Sequence, residues 1–237
     1  MTERVYYTDP YAQSLNATIQ GVASDHVILD QTIFYPLGGG QPGDVGFIEV
    51  EGVEYAITDT LKGDDGCIRH MLREGTALGN LSVGARAQLR IDWPRRYAHM
   101  RMHTAMHLLG SLIPVPVTGG QVGAEKSRLD FDVGESKLDK AGLTDEMNAL
   151  IRADADLEFS WVSDAYLDAN PDLVRTMSVA PPRGVGDIRM VRIPHVDYQP
   201  CGGTHVHRLS EIGPVRVSKI ENKGKQNRRV HLLFDSD

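Results

Sequence analysis

The feature that most limits the folds open to this chain is a change of rhythm at Asp92-Trp93-Pro94. Before it, short apolar segments alternate with turn residues at close intervals. Val27-Ile28-Leu29 leads into the glycine-rich run Leu37-Gly38-Gly39-Gly40-Gln41-Pro42-Gly43-Asp44-Val45-Gly46, then Phe47-Ile48-Glu49-Val50, the turn Glu51-Gly52 and Tyr55-Ala56-Ile57. Lys62-Gly63-Asp64-Asp65-Gly66 is a further turn, and Ala85 to Ile91 a further strand. Closely spaced strands with such turns fit a small β-barrel or sandwich. After the break, Asp92 can cap a helix and Pro94 suits a first turn, where its missing N–H costs nothing. That helix is predicted to reach about Ile113, where Pro114 and Pro116 stop it. Strands are predicted near Arg128 to Val133 and Leu157 to Val162, with a helix near Thr144 to Asp154. A closing hairpin pairs Pro214 to Ile220 with Arg228 to Phe234, turning at Asn222-Lys223-Gly224-Lys225-Gln226-Asn227. The expected fold class is α+β, with a β-barrel domain carrying the glycine motif over residues 1–90 and an α+β two-layer domain over 91–237.

A chain of 237 residues can bury a real core. No run approaches eighteen apolar residues, so no membrane partner is expected, and the N-terminus lacks the basic-then-apolar pattern of a leader. Cys67 and Cys201 are too few for a disulfide framework, which points to a reducing cytoplasm. The net charge of −7 argues against nucleic acid until its distribution is considered. From Arg216 to His231, Lys219, Lys223, Lys225, Arg228, Arg229 and Arg216 face only Glu221, and from Arg86 to Arg101 five arginines face only Asp92. Two basic stretches on an acidic body suit a selective polyanion binder, and equally a pair of solvated faces.

Chemistry concentrates in two spacings. His103 and His107 stand one helical turn apart on one face, where both imidazoles can reach one ion. Cys201-Gly202-Gly203-Thr204-His205 offers a thiolate and another imidazole on a loop whose glycines let the backbone bend. Nitrogens with one sulfur suit Zn²⁺. Either motif alone is weak, because histidines fall at this spacing by chance. His99 offers a second register with His103; Leu108, Leu109 and Leu112 beside His107 favour the 103/107 pair. Thr104 stands where a His-Glu-x-x-His metalloprotease needs its glutamate. The glycine run has no Lys-Ser/Thr ending, so it is a tight hairpin rather than a nucleotide loop, and no nucleotide cofactor is expected. Cys67 has no partner motif and is assigned a structural place.

Four segments resemble, in order, the motifs of the alanyl-tRNA editing family. They are Asp30-Gln31-Thr32-Ile33-Phe34-Tyr35-Pro36-Leu37 with the glycine run, and Arg101-Met102-His103-Thr104-Ala105-Met106-His107-Leu108-Leu109. Cys201-Gly202-Gly203-Thr204-His205-Val206 and Lys219-Ile220-Glu221-Asn222-Lys223-Gly224-Lys225-Gln226-Asn227-Arg228-Arg229-Val230 complete the set. The family includes the editing domain of alanyl-tRNA synthetase and free-standing relatives, and threonyl-tRNA synthetase carries a related module. The resemblance implies a translation-factor-like barrel before a zinc-binding editing domain, with zinc on His103, His107, Cys201 and His205. It also implies a free-standing, zinc-dependent hydrolase of alanine-specific tRNA mischarged with serine above all, and with glycine. The family's threonine four residues after the last histidine is replaced here by Leu209.

An alanine pocket rejects serine weakly, since serine only adds a hydroxyl, so a second site that demands the hydroxyl completes the discrimination. Thr32 and Gln41 are the candidates for that polar recognition, their alternative being hydrogen bonds that shape the loop. The ester is already activated, so a positioned water and a polarised carbonyl suffice. A four-ligand ion leaves no open position, and a catalytic role then needs one ligand, His205, to be displaced. Lys219, Lys223, Lys225, Arg228 and Arg229 are the candidates for gripping tRNA. Two other readings stand beside this one: a non-catalytic zinc-containing RNA-binding module, and the same hydrolase acting on threonine-specific tRNA.

Overall fold

The computed structural model describes residues 2–63, 66–134, 137–174 and 187–235. They fall into two compact units, Met1–Tyr97 and Ala98–Asp237. In the first unit, β1 (Glu3–Arg4) leads through a single helical turn, α1 (Val5–Thr8), to β2 (Ser14–Val22), β3 (His26–Leu29) and β4 (Gln31–Thr32). Then follow β5 (Gly46–Val50), β6 (Val53–Lys62), β7 (Ile68–Leu72) and β8 (Arg86–Ile91). Six of these strands close a barrel in the order β2-β3-β7-β6-β5-β8, antiparallel at every step, while β1 pairs with β4 in parallel. Closure leaves the barrel without an edge strand. Along β8, Ala87, Leu89 and Ile91 are buried and Arg86, Gln88 and Arg90 exposed, the period-two pattern that a half-buried strand requires. Ile19, Leu29, Ile48, Val50, Ile57 and Leu89 fill the interior.

The glycine run closes a two-residue hairpin, in which Gly38 and Gln41 exchange backbone hydrogen bonds across Gly39 (φ 57°) and Gly40 (φ 81°). Both central residues adopt the left-handed conformation that this turn needs and glycine supplies without strain. Asp44, at the end of the run, is buried with Arg96: its Oδ2 accepts from Nε of Arg96 at 2.8 Å and from Nη2, and also from the Tyr35 N–H at 2.6 Å. Arg96 further donates to the carbonyls of Ile33 and Pro10. Arg96 is therefore withdrawn from the basic stretch between Arg86 and Arg101, while Arg86 and Arg90 remain exposed. Arg90 pairs with Glu54, Arg95 donates to the Gly43 carbonyl, and Arg101 donates from Nε and Nη2 to the Ile212 carbonyl.

The second unit is organised on α2 (Trp93–Leu112), whose first residues belong to the first unit. Asp92 caps it, accepting from the Arg95 N–H at 3.1 Å. Every residue from Met102 to Gly110 is buried, as in a helix enclosed on all sides. After it come β9 (Val117–Gln121), β10 (Lys126–Asp132) and α3 (Lys140–Ala153), then β11 (Glu158–Val162), α4 (Asp164–Ala169), β12 (Ile188–Ile193) and β13 (Asp197–Pro200). The hairpin β14 (Val215–Asn222) and β15 (Asn227–Phe234) joins a four-stranded sheet of order β14-β15-β10-β9, and β11-β12-β13 make a separate antiparallel sheet. α3 starts earlier than predicted, because Asp139 accepts from the Ala141 N–H and caps a first turn that Gly142 disguises in the sequence. Among the described residues, no helix is long and apolar enough to cross a membrane.

Candidate metal centre

Two structural arguments bring four donors together in the second unit. The helical period aims His103 and His107 the same way, and β13 runs directly into the Cys201 loop. Arg189 on β12 shapes that loop: its Nη1 donates to the carbonyls of Cys201 (3.0 Å) and Gly203 (2.8 Å), while its own carbonyl accepts from the Cys201 N–H. As a result one ligand atom from each of His103, His107, Cys201 and His205 lies within 4.8 Å of the others. His99 is buried but lies outside this group.

The donor set fits a tetrahedral ion. Cys201 Sγ stands 3.6 Å from Nε2 of His103 and 3.3 Å from Nε2 of His205. Tetrahedral Zn–S and Zn–N bonds place such atoms about 3.5 Å apart. The imidazoles are oriented from behind, as metal-binding histidines require. Asp197 Oδ2 accepts from His107 Nδ1–H at 2.8 Å and from Gln199 Nε2 at 2.7 Å, which turns Nε2 of His107 toward the cluster. The Thr104 hydroxyl donates to the Met100 carbonyl (2.9 Å), so toward His205 Nδ1 (3.1 Å) it acts as an acceptor. The proton of His205 is thereby fixed on Nδ1 and the Nε2 lone pair faces Cys201.

The electrostatics differ among the donors. Burial pushes the Cys201 thiol up, yet the His103 and His205 imidazoles beside it draw it well below the ordinary thiol value. Burial pushes His107 down, but the Asp197 carboxylate and the Cys201 sulfur more than reverse this and raise it to about 10. At His205 burial prevails and holds the ring well below the usual imidazole range. A cation would take up the thiolate that His103 and His205 favour and the neutral ring that burial favours at His205, and would displace the proton that Asp197 and Cys201 hold on His107.

The other sequence candidates sit elsewhere. Thr32 and Gln41 are fully buried in the first unit. The Thr32 hydroxyl accepts from the Phe34 N–H (3.0 Å) and lies 2.8 Å from Nε2 of His70. On the hairpin, Arg229 makes two hydrogen bonds to Asp130, and Glu221 gathers Lys219, Lys223 and His231. Lys225 and Arg228 stand at the turn, where Arg228 donates to the Lys225 and Asn227 carbonyls. Leu209 is fully buried, so the position where the family has threonine is part of the core. Sequence reasoning missed Asp197, Gln199 and Arg189. Asp197 and Gln199 alternate along β13 toward Cys201 just beyond its end, a signal hidden by Pro200, which argues against a strand there.

A closed barrel followed in the chain by an α+β unit with a His/Cys group able to hold a metal ion defines the class of this protein by fold and site. The family described as threonyl and alanyl tRNA synthetase second additional domain matches residues 188–231, the span of β12, the Cys201 loop and the hairpin. The family described as tRNA synthetases class II (A) matches residues 5–95. The chain is 35% identical over 242 residues to the alanyl-tRNA editing protein AlaX-M of Methanosarcina barkeri, covering 99% of both chains. It is 35% identical to the AlaX-M protein of Saccharolobus solfataricus over 98% of both. With an alanine–tRNA ligase of Saccharolobus islandicus it shares 34% identity over 93% of this chain and 25% of the ligase. The chain belongs to the alanyl-tRNA editing family.

Proposed function

We propose that this protein is a zinc-dependent aminoacyl-tRNA deacylase that removes serine from alanine-specific tRNA. The observation that carries the reading is the four-donor group, with His107 and His205 each oriented through Nδ1, by Asp197 and Thr104. Full-length similarity to proteins named for alanyl-tRNA editing supports the substrate class. His103, His107, Cys201 and His205 would hold the zinc. When bound, zinc supplies Lewis acidity toward the ester or its attacking water, or an anchor for the substrate's amino group or hydroxyl. If all four residues held the ion at once, a catalytic role would need one of them, His205 in this reading, to give up its place. Asp197 keeps His107 in place, and Arg189 keeps the Cys201 loop folded over the site.

Thr32 and Gln41 are assigned to the recognition of serine. His70 Nδ1 lies 3.2 Å from the Val27 carbonyl and can only donate to it, so its Nε2 accepts, and the Thr32 hydroxyl donates to Nε2. With the Phe34 N–H on one lone pair, Thr32 keeps a second to accept from a serine hydroxyl, which alanine lacks. Lys219, Lys223, Lys225, Arg228 and Arg229 are assigned to the tRNA backbone, with Lys225 and Arg228 the residues least engaged by carboxylates. The decisive experiment is release of serine from mischarged alanine-specific tRNA by catalytic amounts of protein, its loss on chelation and its return with zinc. No release above the spontaneous rate would leave a non-catalytic zinc-containing RNA-binding module. Because the family matched at residues 188–231 is named for both threonyl and alanyl synthetases, a panel with threonine-specific tRNA separates the second hydrolase reading.

A further inference from the structure

We propose that Trp161 is the stacking platform for the terminal adenine of the tRNA acceptor end, an inference that rests on the deacylase reading above. Register makes the case. On β11 Trp161 lies opposite Arg189, and Phe159 opposite Val191; across the next pair Val191 lies opposite Gln199. Continuing one pair further, Arg189 stands beside Cys201, joined by the hydrogen bond from the Cys201 N–H to the Arg189 carbonyl. Directly opposed residues of antiparallel strands share a face of the sheet. Phe159, Trp161, Arg189, Val191, Gln199 and Cys201 therefore share one face, the face on which Gln199 bonds Asp197 and lies 3.1 Å from His107.

The opposite face is accounted for by the contacts of Leu167, Ile188 and Met190 with Val162 and Tyr198. Trp161 does not belong to that core. Its neighbours on its own face are covered: Val191 is 0% exposed and Arg189 4%, and the Arg189 guanidinium lies 4.5 Å over the Phe159 ring. Trp161 is nonetheless 50% exposed. Two strand spacings, about 10 Å, separate its position from that of Cys201. A terminal adenosine that carries the ester on its ribose spans about this reach, so the carbonyl can approach the four-donor group while the base lies on the indole. Stacking on an aromatic ring is the usual way in which a protein holds a single-stranded base, and it needs no base-specific hydrogen bond.

The chain has two tryptophans, so Trp93→Phe makes Trp161 the sole indole reporter. The probes are two acceptor-stem RNA hairpins, identical except that one ends in adenosine and the other in an abasic ribose. The adenosine-ended RNA is expected to quench Trp161 fluorescence and the abasic one to leave it nearly unchanged. Trp161→Ala is expected to weaken binding of the adenosine-ended RNA roughly fivefold to a hundredfold, the range of one lost base–aromatic stack. It should leave the abasic RNA's affinity within about twofold, and Trp161→Phe should recover most of the loss. A merely structural tryptophan would weaken both RNAs equally, and that result overturns the inference while leaving the deacylase reading intact. Failure of the parent protein to bind either RNA overturns both.

Discussion

His70 projects from β7 into the closed barrel, fully buried, with its Nδ1–H on the Val27 carbonyl and its Nε2 on the Thr32 hydroxyl. Burial lowers its pKa from 6.5 to about 4, the Val27 hydrogen bond opposing only in part. The neutral ring is the folded form, so its contribution is complete above pH 6.5 and is lost as pH falls toward 4, because the unfolded chain takes the proton first. That window is worth about 3 kcal/mol. His70→Gln should flatten the loss of stability between pH 7 and 4 by about that amount, read from denaturant midpoints; an unchanged slope would place the ring's neutrality elsewhere. Thr32→Val should cost roughly 1–3 kcal/mol, since it leaves Nε2 of His70 buried without a donor. The same change should lower the ratio of seryl- to alanyl-tRNA deacylation about tenfold. A stability loss with an unaltered ratio would reduce Thr32 to a loop-shaping residue. Asp197→Ala, which frees His107 Nδ1, should weaken zinc about 10- to 100-fold in chelator competition, and equal affinity would mean that the carboxylate does not orient the ring.

At the scale of elements, legibility followed locality. The helix from Asp92 is plain in the sequence because its cap, its proline and its stop are all local, and the i, i+4 period by itself aims His103 and His107 together. The terminal hairpin is plain for the same reason. β2 was missed although Leu15, Ala17 and Ile19 alternate with Asn16, Thr18 and Gln20; Gly21 breaks that pattern, and its partner β8 lies some seventy residues away, a pairing that leaves no mark in either strand. β13 was hidden by Pro200, and with it the Asp197 and Gln199 supports of the metal group. Gly46 is explained only by the closed barrel: a Cβ there would sit 2.1 Å from the Arg90 carbonyl, where β5 crosses β8. The charge of the hairpin was legible, but its partners were not, because Asp130 belongs to a strand nearly a hundred residues earlier. With Arg229 held by Asp130, the lysines of the turn should carry the electrostatic part of tRNA binding. Lys223→Ala with Lys225→Ala should weaken binding across all tRNAs and lower the salt slope by about one unit per lost phosphate contact. Zinc content and melting temperature should hold. An unchanged slope would make the hairpin a solvated face.

At the scale of the whole molecule, the four donors come from segments separated by nearly a hundred residues, so an ion there would tie α2 to the Cys201 loop through four ligands at once. Binding to the folded form alone stabilises it, by about 2.7 kcal/mol at a hundredfold excess of free ion over its dissociation constant. The barrel has its own core of Ile19, Leu29, Ile48 and Leu89 and holds none of the four ligands. Removing zinc should therefore lower protection from hydrogen exchange in α2, β12 and the Cys201 loop, while β5, β6 and β8 keep theirs. Acid should act in the same direction as a chelator. Binding requires a thiolate and neutral imidazoles, and each proton that must be displaced weakens the apparent affinity about tenfold per unit of falling pH. The Cys201 thiol, already held well below its ordinary value by His103 and His205, stays ionised further down than a free cysteine. Loss of zinc on acidification should then be steeper in the parent than in His107→Ala, because His107 carries a proton, held by Asp197 and Cys201, that the ion must displace. Equal steepness in the two would exclude His107 from the ligand set. Loss of exchange protection spread evenly over the barrel strands would show instead that the ion stabilises both units together.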